Sequence, residues 1–384
     1  MLTRFRHLRR DERGMSFVFV GLGFMAFMAT TTLAIDVGMF MTARSQAQNA
    51  ADAGALSGAV ALVYNNFTDR SASGPAVQSA LSAARANPVM GGQVSVIPAD
   101  VTFPNDPSGQ PTRVKVDVYR AAVRNNAIPT VIGPIFGVPT VSMGATATAE
   151  ASPANAETCV KPFMIPDKWT ESQSPPWDPS DTFEMYDNRG NLLAQPDVYV
   201  PADQPGYTGY SVDRDKGTLL TIRAGTGNNI SPTMYFSWKM PGDIGGDFYR
   251  NNIATCNTAL VHWGDLLTQE PGNMVGPTNQ GIDDLIARDP GAYWDTACGC
   301  VKGSAYGVSP RVVPIPLYDP TYYATGKANG RNADFRVANW IGFFVVGRAG
   351  NNISGRITPV SGVFDGNAGP APQGVFPRVI RLVQ

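Results

Sequence analysis

The longest uninterrupted apolar stretch of the chain lies near its N-terminus. Residues 15–35, MSFVFVGLGFMAFMATTTLAI, contain no charged side chain. At about 1.5 Å per residue, a helix of this length crosses the roughly 30 Å of bilayer hydrocarbon once. The apolar region of a secretory signal peptide is shorter, about 7–15 residues. We therefore predict a retained transmembrane helix at 15–35.

The charges on either side of this segment predict its orientation. Arg44 is the only basic residue in the 20 that follow it, whereas an arginine cluster precedes it: Arg4, Arg6, Arg9, Arg10 and Arg13. Cytoplasmic flanks of membrane helices carry the excess of Lys and Arg. We expect residues 1–14 to form a cytoplasmic basic leader and the rest of the chain to lie beyond the membrane.

The helix is predicted to continue past the membrane as a stalk over residues 36–64. This segment has no proline and no Gly pair, and good helix formers dominate it. Small residues recur along one side of it at spacings of three or four, and we call them the docking ridge: Ala43, Ala47, Ala50, Gly54, Gly58 and Ala61. Such a ridge admits a close neighbour, which is either a sheet of the chain's own domain or a partner helix in an assembly.

Residues 13–62 join an Arg-Gly entry, the spanning helix, Ile35-Asp36-Val37-Gly38 at its outer end, Arg44, and the stretch Gln48-Asn49-Ala50-Ala51-Asp52-Ala53. This combination resembles the N-terminal segment of the TadG/TadE-like proteins of tight-adherence (Flp) pilus systems. It implies a non-enzymatic assembly or minor structural component of the pilus, held in the bacterial inner membrane with a periplasmic domain. The implied partners are pilus-assembly or pilin-like membrane proteins, and a second copy of this chain could also pair with it.

Gly14 lies between a basic leader and an apolar helix, as the cleavage-site glycine of a pilin precursor does. In true pilin precursors the fifth residue after the cut is usually Glu, and a carboxylate within hydrocarbon normally has a function. Phe19 occupies that position here. We therefore expect an anchor that is not cleaved and a protein that does not polymerise as a major pilin.

Beyond the stalk, residues 65–151 are predicted to form a small α+β pilin-like unit. Residues 75–86 read as a short helix. Alternating apolar and polar or small residues predict half-buried strands at 93–97, 113–119 and 141–149.

Residues 152–384 are predicted to form a mainly β domain. The chain holds 40 Gly and 31 Pro and is only 16% charged, which favours short strands with many turns. Thr278 is placed to cap a helix through Arg288. The strand candidates are 181–187, 217–223, 233–239, 310–318, 337–347 and 375–383.

All four cysteines lie on the side assigned to the exterior, where an even count indicates disulfides. The favoured pairs are Cys159–Cys256 and Cys298–Cys300, with other pairings open. The alternative is a zinc site in which His262 joins Cys256, Cys298 and Cys300, since thiolate and imidazole are zinc ligands. The spacing differs from that of common zinc fingers, and His262 beside Trp263 is expected to be structural.

Other candidate chemistry is weak. Asp69, Ser71 and Ser73 share the Asp-x-Ser-x-Ser spacing of a von Willebrand A metal site but follow no apolar strand. Asp213, Asp215 and Gly217, and the stretch 187–190, resemble calcium turns but lack the required later carboxylate, so hairpin turns are expected.

No catalytic residue, metal or cofactor is therefore predicted. With a net charge of −1 and no basic run after residue 13, nucleic acid is not expected as a partner. The alternative function is an anchored envelope hydrolase or carbohydrate-binding module. It would need two facing carboxylates in a cleft, which a sequence does not reveal.

Overall fold

A computed structural model of the chain describes residues 13–64, 69–107, 109–225, 229–328 and 334–383. The basic leader before Arg13 lies outside the described residues. The chain divides into an N-terminal unit, Met1–Glu150 with Arg381–Gln384, and a C-terminal unit, Ala151–Ile380. The predicted α+β class with a long apolar N-terminal helix is confirmed. Unlike the predicted domain division, the last residues of the chain belong to the first unit.

The N-terminal unit is built on two helices and one sheet. Helix α1, Arg13–Tyr64, is continuous over 52 residues, so the predicted transmembrane and stalk segments are one helix. The other elements are helix α2 (Pro75–Arg85) and strands β1 (Val101–Thr102), β2 (Arg113–Arg120), β3 (Ile128–Pro129), β4 (Thr140–Val141) and β5 (Met143–Pro153). The sheet has the order β1-β2-β5-β17, where β17 is the last strand, Arg378–Val383.

The alternation of β2 explains how the helices meet this sheet. Val114, Val116 and Val118 are buried, while the residues between them are half-buried. In the same way, α2 buries an apolar stripe of Ala76, Val77, Ala80, Leu81 and Ala84. Side chains share a face every second residue in a strand and about every 3.6 residues in a helix, so the strand and the helix each present one apolar face, and these two faces pack together.

Strands β3 and β4 form a small separate hairpin, which we call the 128–141 hairpin. Ile128 pairs with Val141 and Pro129 with Thr140. A 3₁₀ turn, Gly133–Phe136, closes it. Residues 125–149 contain no charged side chain.

The C-terminal unit is mainly β. Its strands are β6 (Ala156–Glu157), β7 (Phe163–Pro166), β8 (Leu219–Ala224), β9 (Met234–Ser237), β10 (Val261–His262), β11 (Leu266–Leu267), β12 (Tyr293–Asp295), β13 (Cys300–Lys302), β14 (Val312–Tyr318), β15 (Phe335–Ala349) and β16 (Asn352–Thr358). Its helices are α3 (Val212–Asp215), α4 (Gly246–Ala254), α5 (Val275–Ala287) and α6 (Pro320–Ala328).

Six of these strands close into a ring. The order β15-β14-β7-β9-β8-β16 returns to β15, which pairs with β16 through a tight hairpin, and β11 adds to the start of β15. The β14–β7 and β8–β9 pairs are parallel, and the others are antiparallel. Alternate residues separate into two clusters on opposite faces of the strands, so that Ile341 and Phe343 join one and Trp340 the other.

Several local expectations differ from the structure. Residues 93–97 and 181–187 form isolated bridges, Ser95–Tyr119 and Tyr186–Leu192, in place of ladder strands. Helix α5 begins at Val275, before the predicted cap, and Thr278 Oγ1 donates to Met274 O at 2.7 Å from within the helix. An extended, alternating segment becomes a strand only where another strand supplies its hydrogen bonds.

Candidate functional site

The first half of α1, over residues 16–35, presents a mainly apolar surface without charged side chains. From Ser16 onward the helix is long and apolar enough to cross a membrane, and its most apolar part is not buried by the protein. Phe17, Phe24 and Leu33 are 82%, 61% and 65% exposed. A helix that is apolar all round and uncovered by protein matches a lipid environment.

The second half of α1 carries the docking ridge, and the chain itself covers it. All six ridge residues are buried. A Cβ added at Gly54 would lie 3.1 Å from the Cβ of Ala84 and 3.2 Å from Cγ1 of Val116. At Gly58 it would lie 2.8 Å from Cγ1 of Val114. Of the two occupants considered from the sequence, the structure places the chain's own α2 and β2 against the ridge at Gly54 and Gly58. This part of α1 therefore packs as a core helix of the N-terminal unit.

Asp36 lies where the apolar half of α1 gives way to the packed half. Its carboxylate is buried, and it accepts hydrogen bonds from the backbone N–H groups of Val131 at 3.1 Å and Ile132 at 3.4 Å. Sequence reasoning noted Asp36 only as part of a motif. A lone carboxylate at the end of a spanning helix is a signal that could have marked it, because such groups seldom lack a partner.

An apolar groove of about 440 Å³ opens beside Asp36, between α1 and the 128–141 hairpin. Helix residues Ala29, Leu33 and Phe40 line one side, and Ile132 and Val138 line the other. Asp36 therefore holds the hairpin against α1 where its apolar half ends, and the groove lies within the N-terminal unit.

The four cysteines form two disulfides, Cys159–Cys256 and Cys298–Cys300, which are the pairs favoured by the sequence. The first joins cysteines that are 97 residues apart in the sequence. The second joins cysteines that are two residues apart, at the β12–β13 hairpin. Bonded sulfurs offer no thiolate to zinc. Within the described parts of the chain, no three His, Cys, Asp or Glu side chains are placed to hold a metal ion.

Two buried ionisable groups flank the longer disulfide. Lys161 Nζ donates to the carbonyls of Asn252 at 3.1 Å and Thr255 at 2.6 Å, at the end of α4. Burial, and then repulsion from Arg288, lower the pKa of Lys161 to about 7. Glu157 is 3% exposed, and burial raises the pKa of its carboxyl to about 8. Both groups lie in the interior of the C-terminal unit.

His262 connects two acidic turns. Its Nε2 lies 2.9 Å from Asp365 Oδ2, and its Nδ1 lies 3.5 Å from Asp265 Oδ2. With a carboxylate facing each ring nitrogen, neither nitrogen is left open toward a substrate. This is the geometry of a structural histidine that holds loops together.

Glu171 and Asp197 are interacting carboxylates, but backbone N–H groups occupy both of them. Asp197 accepts from the N–H groups of Ser172 and Glu184, and Glu171 accepts from that of Gln173 at 2.9 Å. Burial, and then the Glu171 charge, raise the pKa of Asp197. Burial opposes ionisation of Glu171, but its hydrogen bonds outweigh that effect and lower its pKa. The pair holds neighbouring turns together through these backbone hydrogen bonds.

A surface cleft of about 780 Å³ lies elsewhere in the C-terminal unit. Neither Glu171 nor Asp197 lines it. Asp187 does, but hydrogen bonds from Asn191 lower the pKa of its carboxyl. A general acid requires the opposite shift. The cleft walls include Glu184, Tyr186, Asp187, Arg189, Tyr323 and Lys327.

The remaining candidate metal residues are engaged locally. Asp215 is buried in α3, where it accepts from Ser211 N and Lys168 Nζ, each at 2.8 Å. The 213–217 segment is thus a helical turn and not the expected hairpin turn. Asp69 accepts from Ser71 N at 3.0 Å and Ser71 Oγ at 2.7 Å, which makes a small local turn.

Comparison with known proteins gives one positive finding. Residues 14–61 match a family model described as "Putative Flp pilus-assembly TadE/G-like". No significant match was found among curated proteins, and none among solved structures. The matched residues are α1 from the start of its apolar half through the docking ridge, which confirms the resemblance seen in the sequence. Residues 14–61 of this chain are therefore similar to the TadE/G-like segment that this family model describes.

Proposed function

We propose that this chain is a non-enzymatic, membrane-anchored assembly component or minor structural component of a tight-adherence (Flp-type) pilus. The observation that carries the proposal is the match of residues 14–61 to the TadE/G-like model. Those residues coincide with the helix that combines an uncovered apolar half and a packed half. A pilus-assembly role requires a fixed position in the membrane and contact surfaces, and no catalysed reaction.

The proposed topology is a single pass through the bacterial inner membrane, with the N-terminus cytoplasmic and the domains periplasmic. The arginines that precede residue 14 support this orientation, because Arg44 is the only basic residue in the next 20 after the span. Two disulfides in the C-terminal unit support an oxidising compartment for it.

Partner contacts must use surfaces other than the docking ridge, because α2 and β2 already fill it. The exposed apolar side chains of α1, such as Phe19, Phe24 and Leu33, remain open to neighbours in the bilayer. The proposed partners there are pilus-assembly or pilin-like membrane proteins, or a second copy of this chain. Because Gly21 and Gly23 carry no side chain, a neighbouring helix could approach closely there.

The alternative of an anchored hydrolase or carbohydrate-binding module draws no support from Glu171, Asp197 or Asp187. Glu171 and Asp197 are held by backbone N–H groups and do not line the 780 Å³ cleft. Asp187, which does line it, has a lowered pKa. We therefore do not propose a catalytic role.

Deletion of the gene in its own bacterium, followed by complementation, tests the proposal. We expect surface pili, counted by electron microscopy, to fall on deletion and to return with the wild-type chain. A chain with residues 16–35 replaced by an unrelated apolar span of equal length should reach the membrane fraction without restoring pili. An unchanged number of pili after deletion would overturn the proposed role. Full rescue by the chain with the unrelated span would show that residues 16–35 only hold the protein in the membrane and make no specific contact with a partner.

A further inference from the structure

We propose that the 128–141 hairpin is a second membrane attachment, seated in the outer leaflet beside α1, with lipid hydrocarbon as its partner. The first observation is its surface. Val131, Ile135 and Val138 are 64%, 80% and 48% exposed, on a loop within a charge-free stretch. Contiguous exposed apolar side chains mark a binding surface more often than single ones do.

The position of the hairpin along α1 supplies the second observation. The groove beside it is lined by Ala29 and Leu33, which belong to the charge-free span that ends at Ile35. Ala29 lies six residues before Ile35, and therefore about 9 Å inside the outer end of the span. Interfacial elements bury their apolar faces about 5–10 Å into the boundary between headgroups and acyl chains. A hairpin held at Asp36, beside a groove that reaches this depth, lies at the lipid boundary, whichever role the chain has.

The backbone of the hairpin supplies the third observation. In lipid, backbone polar groups must find partners within the protein. Asp36 accepts from two N–H groups of the hairpin, and prolines at 129, 134 and 139 carry none. The N–H groups that donate within the chain are those of Thr130, Val131, Ile132, Ile135, Gly137 and Val138.

These contacts also give Asp36 a function. A carboxylate at the membrane boundary is costly unless it is paired. The Asp36 carboxylate accepts hydrogen bonds from the backbone N–H groups of Val131 and Ile132. These contacts give the carboxylate two partners, and they pair two N–H groups that would otherwise face hydrocarbon. The clamp also prevents the hairpin from swinging away from α1, so that anchor and hairpin form one membrane-seated element.

Depth measurements on the full chain in vesicles of phosphatidylethanolamine and phosphatidylglycerol test the inference. The single variant Ile135→Cys is labelled with an environment-sensitive fluorophore, and nitroxide-labelled lipids serve as quenchers. Phe24→Cys, within the span, is the positive control. Val60→Cys is the negative control, because Val60 is 44% exposed on the same helix and about 36 Å beyond Asp36.

We expect lipid nitroxides to quench the label at Ile135 several-fold more than the label at Val60, and aqueous iodide to quench it less. Adding Asp36→Ala should shift the Ile135 label toward the aqueous behaviour. Equal behaviour of the Ile135 and Val60 labels would overturn the inference. So would self-quenching between labelled copies without lipid quenching, which would indicate a second copy on the hairpin. The inference rests on the proposed membrane span of α1 but not on the proposed pilus role. The membrane contact of the hairpin and the pilus role can therefore fail independently of each other.

Discussion

Glu157 provides the sharpest quantitative test of the C-terminal unit. Its carboxyl is 3% exposed, and Oε1 accepts from the N–H of Thr158 at 3.0 Å. Burial raises its pKa from 4.5 to about 8, so the native state holds a proton at neutral pH. Glu157→Gln keeps the shape and an acceptor oxygen but cannot ionise.

The sign and size of the effect follow from proton binding. Between pH 4.5 and about 8 the unfolded state releases the Glu157 proton while the native state keeps it. Because the native state binds more protons, its free energy of unfolding falls as pH rises through this window. Each pH unit corresponds to about 1.4 kcal/mol, so the wild type should lose about 3 kcal/mol between pH 5.5 and 7.5 relative to Glu157→Gln. That is a large share of the roughly 5–15 kcal/mol that stabilises a domain.

Urea unfolding of the detergent-solubilised full chain at the two pH values, followed by tryptophan fluorescence, measures this difference. The chain holds 6 tryptophans, and all of them lie between residues 169 and 340, so the signal reports the C-terminal unit. Lys161, whose lowered pKa gives stability that rises with pH above about 7, is present in both proteins and cancels in the comparison. Asp213→Asn, at an exposed position, is the matched control.

We expect the advantage of Glu157→Gln over the wild type to grow by about 3 kcal/mol from pH 5.5 to 7.5. The Asp213→Asn variant should follow the wild type. If Glu157→Gln and the wild type show the same dependence on pH, then Glu157 is ionised in the native protein and the burial argument is wrong.

Three further predictions concern the anchor and the covalent bonds. Gly58→Leu should destabilise the N-terminal unit by about 1–3 kcal/mol, because Val114 already fills the space that the new side chain would need, and it should hasten proteolysis of that unit. Val60→Leu, on the exposed side of the same helix, should have neither effect. Removing the Cys159–Cys256 bridge should lower the free energy of unfolding of the C-terminal unit in urea by about 4–5 kcal/mol. Removing the Cys298–Cys300 bridge should lower it by less than about 2 kcal/mol, because the entropy of loop closure grows with loop length. N-terminal sequencing should find the basic leader retained, and a start at Met15 would contradict the uncleaved anchor.

Periodicity and composition alone predicted much of the architecture. The charge-free run at 15–35 predicts a spanning helix, since both its length and its lack of charge are local properties. The recurrence of small residues from Ala43 to Ala61 predicts a close helix contact, and the alternation in β2 predicts a half-buried strand. Each of these signals lies within one element, where the period of the backbone decides which side chains share a face.

Only the tertiary structure decided what those elements meet. The ridge pattern fits a partner helix as well as the chain's own α2 and β2, which contact it at Gly54 and Gly58. Residues 181–187 alternate like a strand but form an isolated bridge, Tyr186–Leu192, in place of a ladder. Asp36 finds its hydrogen-bond donors 95 and 96 residues away along the chain. A sequence pattern records the hydropathy and period of a segment but not its distant neighbour. That neighbour is selected when the whole chain closes its loops, fits apolar surfaces together and satisfies its buried polar groups at the same time.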